Sequence, residues 1–380
     1  MIIGLDVHKD WVYVTRMEKD GEITEQYEMK NAEESWNKFV GKYLLEMPEI
    51  ALEASTSGKY VARILRNAGF SVYIADPKKL ALIFKSSKKN DKSDSEKLAK
   101  LLRLNEFPEA YLPSREYEEM RTITRHRKYL GEEIVRIKNK VHSILSLNGI
   151  KIKATDIFGK KGLRELSKSI EKLSYSEKIV INDMLTRIID IKERIEKSEN
   201  EMAKIGKDRE DVKKLMTIPG INIYISTGII GEIGDIQRFR NKESLASYAG
   251  LVPRQDQSGK NDRKGHITKE GPSLLRYLLI LAAHTVIKYS KKMNNKYNIL
   301  VRRIGKNRAI VAIARILAET IFIMLKKNVN FEDEITPLTE KKVKKMIERA
   351  ELVVGEINIK ESIKLISSKR FRLMSNKPFS

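Results

Sequence analysis

The sequence contains no cysteine. That excludes disulfides, thiolate zinc sites and cysteine nucleophiles. Histidine is scarce, five in 380 residues, and no Gly-x-Ser-x-Gly elbow occurs, so a Ser-His-Asp hydrolase has no motif behind it. No charge-free apolar run reaches the length of a membrane span. The N-terminus, MIIGLDVHKD, lacks a basic start and a long apolar stretch, so no secretory signal is expected. Acidic residues are also in short supply. There are 51 Asp and Glu against 74 Lys and Arg, a net charge of +23. With a pI near 9.7, that excess favours a polyanionic partner, nucleic acid before membrane.

What is present suffices for folded cores. Apolar residues make up 41% of the chain, and its length exceeds what one core usually holds, so two or three domains are expected. Residues 1–105 read as α/β. IIGLDV is a short apolar strand, and WVYVTRME, the turn KDGE and ITEQYEM read as a hairpin. EIALEAS is a further apolar run that ends in a carboxylate, and FSVYIADP is another strand. AEESWNKFVGKYLLEM and GKYVARILRNAG have helical periodicity. DKSDSEKLAKLLRLN starts a helix, with Ser93 or Asp94 as its natural N-cap. Residues 115–210 are long, charged and helical. Ile181, Leu185, Ile188, Ile191 and Ile195 form one stripe there, read as the core or dimer seam of a helical arm or coiled-coil pair. Residues 212–328 read as mostly α, with a Pro-Gly turn between two helices. The charged tail carries one helix near 338–352. The expected division is 1–110, 111–211, 212–330 and 331–380.

Four carboxylates stand out. Asp6 ends the first strand and Glu53 ends IALE. Asp91 and Asp94 bracket a helix start, three residues apart and so on one face. Sites in open α/β sheets assemble at strand ends, and a carboxylate ending an apolar strand is costly unless paired or bound to a metal. Four of them can share two hard cations such as Mg²⁺, about 3.5–4 Å apart, on either side of a phosphodiester. Singly, each acid reads as a solvated turn or a cap. The set argues for a site. Lys85, Lys88, Lys89, Lys92 and Lys97 around Asp91 and Asp94 give it a basic setting suited to phosphate.

A second candidate is RQDQSGKNDRKGHITKEG, Arg254 to Gly271, with Ser258 at its centre. Serine is a poor nucleophile without activation, and attack on phosphate needs cationic stabilisation. Arg254, Lys260, Arg263, Lys264, Lys269 and Arg276 can supply it. On its residues alone, the stretch reads as a basic loop that contacts phosphate. TIPGIN, Thr217 to Asn222, is similar to the turn of a helix-hairpin-helix element, where N–H groups at a helix start face phosphate.

These residues together resemble the DEDD transposases of insertion sequences, the group that includes the Piv-like serine recombinases. GLDVHKD with Asp6, ALEAST with Glu53, and KNDKSDSEKLAKLL with Asp91 and Asp94 look like that family's four acidic motifs. LMTIPGIN, GEIGDIQRF, LASYAGLVPRQDQSG and GHITKEGPSLLRYLL look like its C-terminal transposase domain. The resemblance covers about residues 1–105 and 212–290. It implies a RuvC-like domain of RNase H fold in which Asp6, Glu53, Asp91 and Asp94 hold Mg²⁺, two ions, with Mn²⁺ as a substitute. It implies a mostly α C-terminal domain whose serine, here Ser258, forms a transient phosphoserine link to DNA. It also implies a composite active site between protomers of a dimer or tetramer, in a prokaryotic cytoplasm. The partners implied are DNA at element ends and target and, in some members, a structured bridge RNA. The chain departs in three places: many relatives have Ser where His8 stands and a second glycine where Lys260 stands, and the tail after about residue 330 is longer than the resemblance leads one to expect. Two other classes compete with this reading. One is a Holliday-junction or RNase H-type nuclease that uses the carboxylates alone, with water as nucleophile. The other is a non-catalytic nucleic-acid-binding protein.

Overall fold

A computed structural model describes residues 1–83, 91–258, 261–352 and 359, with backbone only at 255–258 and 261–264. The chain divides into two compact units, Met1–Pro113 and Ser114–Ser380.

The first unit runs β1 (Ile2–Val7), β2 (Trp11–Met17), β3 (Ile23–Lys30), α1 (Glu33–Tyr43), β4 (Glu49–Glu53), α2 (Thr56–Asn67), β5 (Val72–Ala75), α3 (Pro77–Ile83) and α4 (Asp91–Arg103). Its strands form one sheet in the order β3-β2-β1-β4-β5. β1, β2 and β3 are antiparallel neighbours, whereas β4 and β5 run parallel to β1. Successive side chains of a strand face opposite sides of the sheet. Ile3, Leu5 and Val7 therefore enter one core with Ile50 and Leu52, beneath Trp36 and Phe39 of α1 and Val61 and Leu65 of α2. Ile2 and Ala51 face the other side, against Leu98, Ala99 and Leu102 of α4.

Gly4 shares that second face and sets how close α4 can come. A Cβ there would lie 1.9 Å from Ser95 O and 2.9 Å from Ala99 N. Thr15 Oγ1 and Ser95 Oγ, both buried, hydrogen-bond at 2.7 Å and fix the same helix to β2. Ser93 and Asp94, expected as caps, lie inside α4, whose first residue is Asp91. Asp91 and Asp94 thus both stand in the first turn, where the helix dipole favours negative charge.

The second unit contains α5 (Arg115–Leu147), α6 (Lys160–Ser169), α7 (Tyr175–Lys207), α8 (Glu210–Met216), α9 (Ile223–Ile233), α10 (Lys242–Tyr248), β6 (Pro253–Ser258), β7 (Asn261–Ile267), α11 (Ser273–Tyr289), α12 (Lys291–Ile304), α13 (Lys306–Lys327) and α14 (Thr336–Glu351). α5 and α7 lie antiparallel. Glu177 meets Asn148, Arg187 meets Glu133 and Glu199 meets Arg127, a pairing that runs in opposite directions along the two helices. Within the chain, the apolar stripe of α7 is core: Ile188 and Ile191 pack with Leu130 and Ile137 of α5, and Ile181 with Val141 and Leu145.

Every residue of α9 is buried. Its Glu232, wholly shielded from solvent, is held by a two-pronged pair from Arg125 at 2.8 and 3.0 Å. The stretch after Gly250, expected as a loop, is instead an antiparallel hairpin. β6 pairs with β7, and Ser258 lies opposite Asn261. Its strands are almost wholly polar, so they lack the apolar alternation that announces a strand.

Candidate functional site

The sheet and α4 bring the four acids to one side. Asp6 follows Ile2 and Gly4 by even steps along β1, and Glu53 follows Ala51 along β4, so both face the side that α4 covers. The pairs Gly4–Ala51 and Leu5–Leu52 put Asp6 and Glu53 at one level of adjacent parallel strands. Asp91 and Asp94 come to the same side from the first turn of α4.

The tightest grouping contains a residue that the acidic pattern did not supply. Ligand-capable atoms of Asp6, His8 and Asp91 all lie within 4.8 Å of one another. His8 Nε2 is 3.3 Å from Asp6 Oδ2 and 3.6 Å from Asp91 Oδ1. Asp94 lies outside this trio although its charge acts on Asp6, and its Oδ1 accepts from Lys97 Nζ at 2.7 Å, while Glu53 shares the face of the sheet without joining the trio. Burial raises the Asp6 pKa above the ordinary carboxylate range, and the charges of Asp91 and Asp94 push it the same way, against the attraction of His8. Burial leads that shift, and the neighbouring carboxylates add to it. A divalent cation fits such a set: oxygen donors plus one imidazole, with charge to neutralise.

His8 had a legible signal. It lies two residues beyond Asp6, and even spacing from a strand end keeps a side chain on the same face. Its backbone N–H donates to Trp11 O at 2.9 Å, which sets the tight β1–β2 turn.

The expected phosphate contacts are placed as follows. Lys92 is exposed in the first turn of α4, and Arg254 and Lys269 are exposed at the base of the β6–β7 hairpin. The Arg276 guanidinium donates to Ala249 O at 3.1 Å and Glu270 O at 3.2 Å, which ties both ends of the hairpin to α11. Lys85, Lys88, Lys89 and Lys260 lie outside the described residues. So do the side chains of Ser258, Arg263 and Lys264, whose backbones belong to the hairpin. The sequence also holds a basic tract that starts at Arg276 and extends well beyond these positions. From Gly271 to Ala318 there is no Asp or Glu, while ten Lys and Arg occur. α12 lies within it, buries only Met293 fully and exposes Lys291, Lys296, Arg302 and Arg303.

Comparisons with known proteins find transposases. Residues 3–148 match the family model of the IS110-type DEDD transposase domain. Residues 212–298 match the family described as Transposase IS116/IS110/IS902. The transposase for insertion sequence element IS1111A of Coxiella burnetii is 25% identical over 334 residues, 85% of this chain and 89% of that protein. The transposase for IS1328 of Yersinia enterocolitica is 25% identical over 288 residues, 74% of this chain and 82% of its own. The pilin gene-inverting protein of Moraxella bovis is 33% identical over 130 residues, 32% of this chain and 38% of its own.

Proposed function

The chain belongs to the IS116/IS110/IS902 family of transposases, enzymes of DNA strand transfer, and from that premise we propose that it works through a metal-holding carboxylate face and a serine nucleophile. The observation that carries the reading is the convergence of Asp6, Asp91 and Asp94, with Glu53 on the same side, at the open end of a mixed sheet. The order β3-β2-β1-β4-β5, three strands antiparallel and two parallel, supports the RuvC-like assignment of residues 1–110.

In this reading Asp6, Glu53, Asp91 and Asp94 hold Mg²⁺, with His8 as a neighbouring nitrogen donor. A bound divalent cation supplies Lewis acidity toward phosphate oxygens. Ser258 Oγ bonds to phosphorus as the bond from phosphorus to the departing strand's oxygen breaks. The serine hydroxyl gives up its proton, and the departing oxygen takes one. Attack of a DNA hydroxyl on the phosphoserine then restores a phosphodiester and frees Ser258. Each step exchanges one phosphoester for another, so rejoining requires no external energy source. The place of Ser258 at the end of β6 supports the role, because a hairpin end can be presented to a strand. Arg254 and Lys269 near its base supply cations for phosphate there, and Lys92 on α4 supplies one beside the carboxylates.

The substrate is DNA at element ends and target. The basic tract of α12 suits a phosphate backbone, and the same chemistry would accept a structured guide RNA. Sequencing of nucleic acid that co-purifies under gentle conditions reads which one the protein carries. The deciding experiment is Ser258→Ala with end-labelled DNA and divalent metal. The expected result is loss of both the protein–DNA adduct resistant to denaturant and the joined product. Strand joining that persists in the variant would instead favour the carboxylate-only nuclease chemistry with another nucleophile.

A further inference from the structure

The turn between α8 and α9 points three backbone carbonyls at one side-chain nitrogen. The turn is drawn tight by Ile218 N–H donating to Leu215 O and Ile221 N–H donating to Ile218 O, both at 3.1 Å. Gly220 takes a φ of +91°, a left-handed conformation that Gly adopts without strain. A Cβ there would also lie 2.4 Å from the Thr285 side chain. The carbonyls of Met216, Ile218 and Ile221 all accept from Nζ of Lys342, at 3.0 Å for Ile218 and 3.1 Å for Ile221. An ammonium has three donors and no acceptor, so these three oxygens satisfy it completely.

Lys342 comes from α14, more than a hundred residues away in sequence. α14 is docked through Met346, which is buried in the core of this unit. The chain leading to α14 is tied to the same turn, since Phe331 N–H donates to Thr217 Oγ1 at 3.0 Å. Among the described residues no carboxylate forms an ion pair with Lys342. Burial pushes its amine down to about 8, with Glu334 opposing the shift, so it remains charged at neutral pH.

We propose that the α8–α9 turn is a monovalent-cation site built from the carbonyls of Met216, Ile218 and Ile221, and that this chain fills it with the ammonium of Lys342. Convergent carbonyl oxygens can replace the hydration shell of a small cation. Three such dipoles aimed at one point, mostly out of water, require positive charge or hydrogen-bond donors between them. A lysine from the tail meets that requirement permanently. α14 is then an integral part of the turn, and the turn stays formed whatever salt surrounds it. The proposal concerns the folding of residues 114–380, so it stands or falls separately from the strand-transfer chemistry.

The test is Lys342→Ala in the full chain. Thermal melting is followed by circular dichroism in KCl, NaCl, ammonium chloride and tetramethylammonium chloride at equal ionic strength. Wild type should melt at one temperature in all four salts. The variant should melt about 2–4 °C higher in a salt of a small cation than in tetramethylammonium chloride, with a saturating concentration dependence. Equal melting of the variant in every salt, or the same salt preference in wild type, overturns the proposal. If the alanine variant does not fold, Lys342→Gln with ²³Na line-broadening gives a direct reading. Broadening beyond that of wild type, reversed by K⁺, supports the site, and its absence rejects it.

Discussion

Asp6→Asn should make the metal-free protein more stable while it removes metal binding. Asp6 is 16% exposed and faces Asp91 with oxygens no more than 4.8 Å apart. Because Asp91 is 63% exposed, a water-like dielectric is the fair choice for their repulsion, and 332/(80 × 4.8) gives about 1 kcal/mol. Burial of the Asp6 charge and the more distant Asp94 add to the relief, while the lost attraction to His8 subtracts from it. A net gain of about 1 kcal/mol is expected, roughly 4 °C in melting temperature for a unit of this size. The pH dependence has a fixed sign. A carboxylate whose folded pKa is raised contributes stability below its unfolded pKa, and that stability is lost as pH rises through the folded value. In EDTA, the wild type should therefore lose stability as pH climbs out of the ordinary carboxylate range, and Asp6→Asn should lose less.

Metal reverses the order. At a hundredfold excess over its dissociation constant, a bound cation stabilises by about 2.7 kcal/mol. Wild type should gain that in Mg²⁺ or Mn²⁺, and the variant should gain little. Calorimetric melts of both proteins, with EDTA and with metal, should thus cross: variant higher without metal, wild type higher with it. A variant less stable than wild type in EDTA would show that Asp6 is satisfied by its protein neighbours. An equal gain with metal in both proteins would place the cation elsewhere. Either result would refute the carboxylate site as argued.

Other changes read other parts of the structure. Gly4→Ala places a methyl 1.9 Å from Ser95 O, so it should cost about 2–3 kcal/mol by urea unfolding and loosen α4 against the sheet. Arg125→Ala strips Glu232, a wholly buried carboxylate, of its two-pronged partner. With Arg121 left 3.9 Å away as partial cover, a loss of about 2 kcal/mol is expected, and adding Glu232→Gln should recover part of it. His8→Ser should leave melting in EDTA within about 0.5 kcal/mol but weaken Mn²⁺ binding in calorimetric titration more than Mg²⁺ binding, because imidazole suits the softer ion. Equal weakening of the two would remove His8 from the donor set.

Legibility followed the reach of each signal. Strand parity is a two-residue property, so the α/β order of residues 1–105 and the strand-end places of Asp6 and Glu53 could be read directly. The α4 cap could not, because Ser, Asp and Asn are all good caps and KNDKSDSE offers several candidates in a row. The β6–β7 hairpin is illegible in the sequence for the opposite reason. Its strands carry Arg, Gln, Asp and Lys where alternation would need apolar residues, so only backbone pairing reveals them. The α7 stripe was visible, but its partner was not. Periodicity gives the face of a helix, and only contacts such as Arg187–Glu133 show that α5 of the same chain covers it.

The two acids of α4 show why such a site needs the rest of its unit. A carboxylate in the first turn of a helix is stabilised by the dipole by about 0.3–1 kcal/mol, which is less than, or at most comparable to, the repulsion of about 1 kcal/mol estimated for Asp6 and Asp91 alone. The helix therefore stays against the sheet for other reasons. Leu98, Ala99 and Leu102 bury apolar surface on Ile2 and Ala51, Ser95 bonds to Thr15, and Gly4 gives the backbone room to approach. Each of these lies within a turn or two of the acids, and none of them is charged. The packing holds the carboxylates together against their own repulsion, and that repulsion is what a cation relieves on binding.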